Sequence, residues 1–194
     1  MNYKNLIAHH PQAIPTTLCK KTISHFDENE KFDSAIADEG KKVPEFRKSK
    51  EAILSWDGDR DAPNSSELCS ELCNFIKPLV DDYYKKYVQC FKYIRSTRYE
   101  DAHVLKYEPN NGFYHYHYDS DGGDIGNRII SIIIYLNDVE EGGETEFSYI
   151  NEGPIKPNQG DVIIFPSGPT HTHRGKIPVS NSKYIAVFWL REDS

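Results

Sequence analysis

The 194-residue sequence predicts a mainly β domain of jelly-roll or sandwich type, backed by helices on one sheet. Three observations carry this. After residue 100 the chain breaks into six short runs rich in β-branched and aromatic residues, separated by turns containing Gly, Asn or Pro. One of these runs, residues 129–136, is apolar on both faces apart from Ser131, as suits a central strand covered from both sides. Before residue 100, apolar residues recur at helical spacing instead.

In chain order, Pro15 and two threonines introduce a helix carrying Leu18, Cys19, Ile23 and Phe26. Residues 27–64, broken by Gly40, Pro44, Gly58 and Pro63, read as short strands and mobile loop, with 52–56 the best-supported strand. Ser65 or Ser66 can cap a longer helix with Leu68, Leu72, Phe75 or Ile76, Leu79 and Tyr83 on one face and a kink at Pro78. Asp81 with Lys85 and Asp82 with Lys86 form four-apart pairs on its exposed side. Strands then follow at 102–107, 114–119, 128–136, 144–149, 161–165 and 184–190. The expectation is one domain over residues 1–194, with 1–100 as helical support and lid region and 101–191 as the jelly-roll core.

Composition narrows the function classes. At 38% hydrophobic, 27% charged and 12% aromatic, the chain is neither a disordered tail, a collagen-like fibre nor a disulfide miniprotein. No apolar run approaches the ~20 residues that span a bilayer, and the N-terminal segment lacks a stretch of signal-peptide length, so a cytoplasmic protein is expected. There Cys19, Cys69, Cys73 and Cys90 are thiols, and the four-apart Cys69 and Cys73 read as half-buried core residues. A net charge of -7 with dispersed lysines and arginines argues against nucleic acid as a partner.

The sharpest local feature is His117-Tyr118-Asp119. Side chains two apart on a strand share a face, so an imidazole and a carboxylate can reach one metal ion. Taken alone the pattern is weak, since His25-Phe26-Asp27 repeats it within the first helix, where the two side chains diverge. His173 supplies a third ligand of suitable type between two strands. Two histidines and a carboxylate on one side of a metal form the facial triad of non-haem Fe(II) oxygenases. His115 and His171 compete for the same roles, each lying two residues from a proposed ligand.

A longer series of residues bears on that choice. Tyr107, Tyr114, His117 and Asp119 are followed by Arg128-Ile129 and Tyr135-Leu136-Asn137, then Gly142-Gly143-Glu144-Thr145-Glu146-Phe147. Pro157, Gly160-Asp161 and Phe165 come next, then His173-Arg174-Gly175, Pro178-Val179, Lys183 and Trp189. In this order and spacing the chain resembles the prolyl 4-hydroxylase type of Fe(II)- and 2-oxoglutarate-dependent dioxygenases, closely over residues 100–191 and loosely before.

The resemblance implies a cupin-like double-stranded β-helix and a register. A basic residue ten positions after the distal ligand selects His173 over His171. A tyrosine three before the proximal ligand selects His117 over His115, leaving His115 and His171 as supporting or substrate-side residues. It further implies Fe(II) held by His117, Asp119 and His173, and 2-oxoglutarate whose distal carboxylate meets Lys183, helped by the Tyr135 hydroxyl and lined by Tyr107. Substrate-side roles fall to Arg128, Trp189 and Tyr114.

The implied reaction is hydroxylation of an unactivated C–H using O2, with release of succinate and CO2 and with ascorbate as reductant. Prolyl 4-hydroxylation of a peptide or protein is the foremost reading. Alternatives are a free amino acid or another protein side chain as substrate, a zinc hydrolase on the same ligands, or a binding module without turnover. The loops 120–127 and 47–59 are expected to close over substrate.

Overall fold

The computed structural model describes residues 6–29, 31–34, 36–38, 41–43, 45–56, 64–92, 94, 96–120, 122, 125–150 and 153–193. In order these form β1 (Ala8–His10), α1 (Thr16–Glu28), β2 (Phe32–Ser34), β3 (Ile36–Asp38), β4 (Lys41–Val43), β5 (Arg47–Leu54), α2 (Ser65–Lys86) and α3 (Val88–Phe91). There follow β6 (Thr97–Tyr99), β7 (Ala102–Tyr107), β8 (Phe113–His117), β9 (Arg128–Tyr135), β10 (Thr145–Phe147), β11 (Val162–Pro166), β12 (His173–Gly175) and β13 (Lys183–Glu192).

The strands build two antiparallel layers. The larger runs β1-β11-β9-β13-β7-β5, with β2 beside β5 and β6 beside β13, and the smaller continues β5-β8-β12-β10. Strand β5 belongs to both. Its first two residues pair with β8 and its last five with β7, so one strand carries the sheet around the corner. This curled, mostly antiparallel arrangement is the jelly roll that the alternating runs predicted.

Strand parity divides the interior into two cores. On β9, Ile130, Ile132 and Ile134 face outward; on β13, Ala186, Phe188 and Leu190 do. They pack against Leu18, Cys19 and Phe26 of α1 and Leu68, Cys69, Leu72 and Ile76 of α2. The alternate residues Ile133 and Tyr135, Ile185, Val187 and Trp189 turn into the roll. Residues 129–136 are apolar on both faces because both faces are covered. Burying one such isoleucine stabilises the fold by about 1.5–3 kcal/mol.

The N-terminal half differs from the expected helical support in also contributing strands β1, β2, β5 and β6 to the large sheet. Ser65 does not cap α2. Asn64 takes the capping position in a left-handed conformation, and Ser65 is the first helical residue, its Oγ accepting the Ser55 N–H at 2.9 Å. The helix runs on through Pro78, Ile76 is the buried member of its pair while Phe75 is exposed, and Lys85 contacts Asp82 three residues back rather than Asp81. Cys19, Cys69 and Cys73 are buried thiols and Cys90 is exposed. Much of the expected lid at 47–59 is strand β5; residues 57–59, and residues 121, 123 and 124 of the other loop, lie outside the described residues. Among the described residues no helix is long and apolar enough to cross a membrane.

Candidate active site

A cavity of about 920 Å³ opens between the two sheets. On its wall the β8–β12 pairing sets His173 directly opposite His117, and Asp119 follows β8 by two residues, anchored by its N–H to the Ser167 carbonyl at 3.0 Å. One ligand atom from each of His117, Asp119 and His173 lies within 4.8 Å of the others. Among the described residues this is the only such cluster of three. Register therefore assembles what the sequence spread over 57 positions (173 minus 117, plus one).

Backbone carbonyls set the tautomers of both imidazoles. His117 Nδ1–H donates to the His115 carbonyl at 2.7 Å and His173 Nδ1–H to the His171 carbonyl at 3.0 Å, which leaves both Nε2 lone pairs for a metal. Burial, with His117 beside it, lowers His173 to about 4, so it is neutral at physiological pH. Burial opposes ionisation of Asp119, but His173, His117 and a 2.5 Å hydrogen bond from Ser131 Oγ hold it well below the usual carboxylate range. Ser131 is in turn 2.9 Å from Ser167 Oγ. The set is one anionic and two neutral donors, which suits a divalent cation such as Fe(II).

His115 and His171 contribute their carbonyls here. The His171 ring is buried against Phe147 and Phe165, and the His115 ring lies outside against Phe46 and Phe113. Tyr114 stacks on His117 with ring centroids 3.4 Å apart and planes 12° from parallel.

Lys183, on β13, points into the same cavity and is 2% exposed. Its ammonium donates to the Gly143 carbonyl at 2.7 Å and faces the rings of Tyr107 and Tyr135. Gly142 and Gly143 both have left-handed backbone, and a side chain at 142 would strike the Ile177 carbonyl at 2.4 Å, so the Gly142-Gly143 turn is required. Burial brings Lys183 down to about 7, with Glu144 opposing. A buried ammonium with one neutral acceptor fits an anionic ligand. Beside it, a methyl group at Gly175 would sit 4.0 Å from Lys183 Nζ, and Gly175 is two residues from His173 on β12.

Tyr107 lines the cavity, whereas Tyr135 departs from its expected role. Its hydroxyl donates to Thr145 Oγ1 at 2.7 Å, and Thr145 takes the place on the wall. Arg128 chelates Glu100, with Nη2 2.5 Å and Nε 2.9 Å from Oε2, and lies 3.7 Å over the Trp189 ring. Arg128 thus lines the cavity while its charge is matched by Glu100. Sequence reasoning missed Ser131, Thr145, Arg47, Glu51 and His103 on or behind this wall. The polar break at Ser131 in an apolar strand, the place of Thr145 in the motif series and the position of residues 47 and 51 in the expected lid were the signals available.

A model of the 2OG-Fe(II) oxygenase superfamily matches residues 102–191. Over these residues, somewhat under half of the chain, the protein is similar to that superfamily. The chain resembles prolyl 4-hydroxylase 1 of Arabidopsis thaliana, at 30% identity over 132 residues covering 56% of this chain and 46% of the plant protein. It spans about half the length of the curated relatives it matches. Among solved structures it is similar to a viral collagen prolyl hydroxylase of Paramecium Bursaria Chlorella virus-1 in complex with 2OG, with TM-score 0.70 and 22% identity over 97% of each chain. It is also similar to a prolyl hydroxylase of Trichoplax adhaerens in complex with a hypoxia inducible factor peptide fragment, with TM-score 0.74 and 17% identity over 97% of this chain and 84% of that one. At these identities the structural likeness is one of fold, the double-stranded β-helix of the superfamily.

Proposed function

We propose that this protein is an Fe(II)- and 2-oxoglutarate-dependent dioxygenase that hydroxylates prolyl residues of a peptide or protein. One observation carries the reading: the buried ammonium of Lys183 shares a cavity with the His117, Asp119 and His173 donor set. A dicarboxylate cosubstrate needs a cation for one end and a metal for the other.

In this reading His117 Nε2, Asp119 and His173 Nε2 hold the iron on one side, and Lys183 holds the distal carboxylate. Iron and 2-oxoglutarate bound there supply activation of O2, coupled to loss of CO2, formation of succinate and insertion of one oxygen atom into a substrate C–H. The chain itself orients and shields. Tyr107 and Thr145 wall the cosubstrate end, and Ile133, Ile185 and Val187 keep it apolar. Trp189, covered on one face by Arg128, adds an aromatic surface to the substrate side of the cavity. No side chain has to move a proton from the substrate carbon.

The prolyl assignment draws on the named relatives, one of which is seen with a peptide. It is tested by incubating the protein with Fe(II), 2-oxoglutarate, ascorbate and a panel of proline-containing peptides. The expected result is succinate release that depends on peptide, with a mass gain of one oxygen mapped to proline. Peptide-independent succinate alone, across a broad panel, sinks the prolyl assignment.

A further inference from the structure

Part of the cavity wall is a charged cluster to which the reading above gives no role. Glu51 on β5 is 4% exposed and holds partners on two sides. His103 Nδ1 is hydrogen-bonded to its Oε1, and Arg47 Nη2 lies 3.4 Å from its Oε2. The β5–β7 pairing explains this: Glu51 sits opposite Leu105, two residues from His103, and Arg47 is four residues back on the same strand face. A buried carboxylate is costly unless paired, and both pairings are made inside the roll.

The two partners serve different ends of the cavity. Arg47 places its guanidinium 4.7 Å from the Tyr114 ring, the ring that stacks on His117, and its charge opposes the burial that raises the Tyr107 hydroxyl. His103 meets the Trp189 ring edge to face at 5.0 Å. One carboxylate thus braces the metal-side wall through Arg47 and the substrate-side wall through His103.

We propose that Glu51 is a positioning residue that keeps Arg47 on Tyr114 and His103 against Trp189, setting the cavity's affinity for 2-oxoglutarate at one end and for peptide at the other. The inference rests on the 2-oxoglutarate-dependent reading given above. Alanine at 51 removes the carboxylate from both partners, leaving Arg47 with the Ser49 hydroxyl at 3.3 Å. Glutamine keeps the shape and an acceptor oxygen while losing the charge.

The test is titration of the anaerobic, Fe(II)-loaded protein with 2-oxoglutarate, followed by the charge-transfer absorbance of the complex, alongside thermal melting. Glu51→Ala should weaken 2-oxoglutarate about tenfold, the size of one lost charge-assisted hydrogen bond, and Glu51→Gln should recover most of it. In peptide turnover, His103→Ala should raise the peptide KM several-fold more than the 2-oxoglutarate KM. An affinity within about twofold of wild type in Glu51→Ala, with only the melting temperature lowered, overturns the proposal. If Glu51→Ala does not fold, Arg47→Lys carries the same titration: it keeps the charge, loses the planar stack on Tyr114, and must also weaken 2-oxoglutarate. Wild type that binds 2-oxoglutarate yet hydroxylates no peptide defeats the prolyl assignment while the titration still decides the role of Glu51. Wild type that forms no such complex defeats both.

Discussion

Lys183 stands opposite Tyr107 across the β7–β13 pairing, its ammonium 5.7 Å from the tyrosine ring and hydrogen-bonded to the carbonyl of Gly143. It is a buried amine on the cavity wall whose close neighbours are a neutral oxygen and two aromatic faces, with Glu144 near enough to oppose its loss of charge. An anion completes such a site, and the first two predictions follow from that.

Lys183→Met should lower affinity for 2-oxoglutarate about 30- to 150-fold, the worth of a charge-assisted hydrogen bond of about 2–3 kcal/mol. The same substitution removes a poorly compensated buried charge, so its melting temperature should equal or exceed that of wild type. Calorimetric titration and thermal denaturation measure the two effects.

The pH dependence has a definite sign. Lys183 has a folded pKa of about 7, below its ordinary 10.5, so between these values the unfolded chain carries a proton that the folded one lacks. Stability of the ligand-free protein from this group therefore rises with pH from about 7 to 10.5 and is lost as pH falls through 7. Binding of 2-oxoglutarate needs the ammonium, so the dissociation constant should increase above pH 7, with proton uptake on binding. Lys183→Arg should flatten that slope, since arginine stays charged throughout. Titrations from about pH 6.5 to about pH 9, roughly half a unit below to two units above the shifted value, check it.

His173→Ala should abolish stoichiometric Fe(II) binding, whereas His171→Ala should retain it. The contribution of His171 to His173 is made by its backbone carbonyl, which alanine keeps. Loss of the buried His171 ring should appear instead as a lower melting temperature. Metal binding by His171→Ala alone failing would reverse the assignment.

Ser131→Ala should weaken Fe(II) by about 10- to 100-fold while leaving the strand intact. It removes the hydroxyl that donates to Asp119 Oδ2, and partners of this kind orient a carboxylate and tune its basicity. Competition against a metal indicator reads the change directly.

Several features were legible along the chain because they are local. Runs of β-branched and aromatic residues bounded by turns marked β7 within its observed bounds and β9 and β13 to within one or two residues, and dual-face apolarity identified β9 as central. The spacing of Lys183 after His173 tied both to one motif, and parity placed Lys183 and Trp189 on the same inner face. Short strands such as β1 and β6 were not legible, since three residues carry too little pattern and exist through pairing with β11 and β13.

By itself, then, the sequence determined the jelly-roll class, the central strand and the helical cover, because periodicity is written in neighbouring positions, while the candidate metal and cosubstrate residues came from its resemblance to a known family. Only the tertiary structure decided which hydroxyl faces the cosubstrate end, turning Tyr135 onto Thr145. It also decided that Ser131 reaches Asp119 and that Glu51 binds both Arg47 and His103. In a linear reading Glu51 and Arg47 are indistinguishable from a solvated strand face. What buries them is a register between strands more than fifty residues apart, where the closing of the sheet removes water and makes each charge depend on its partner.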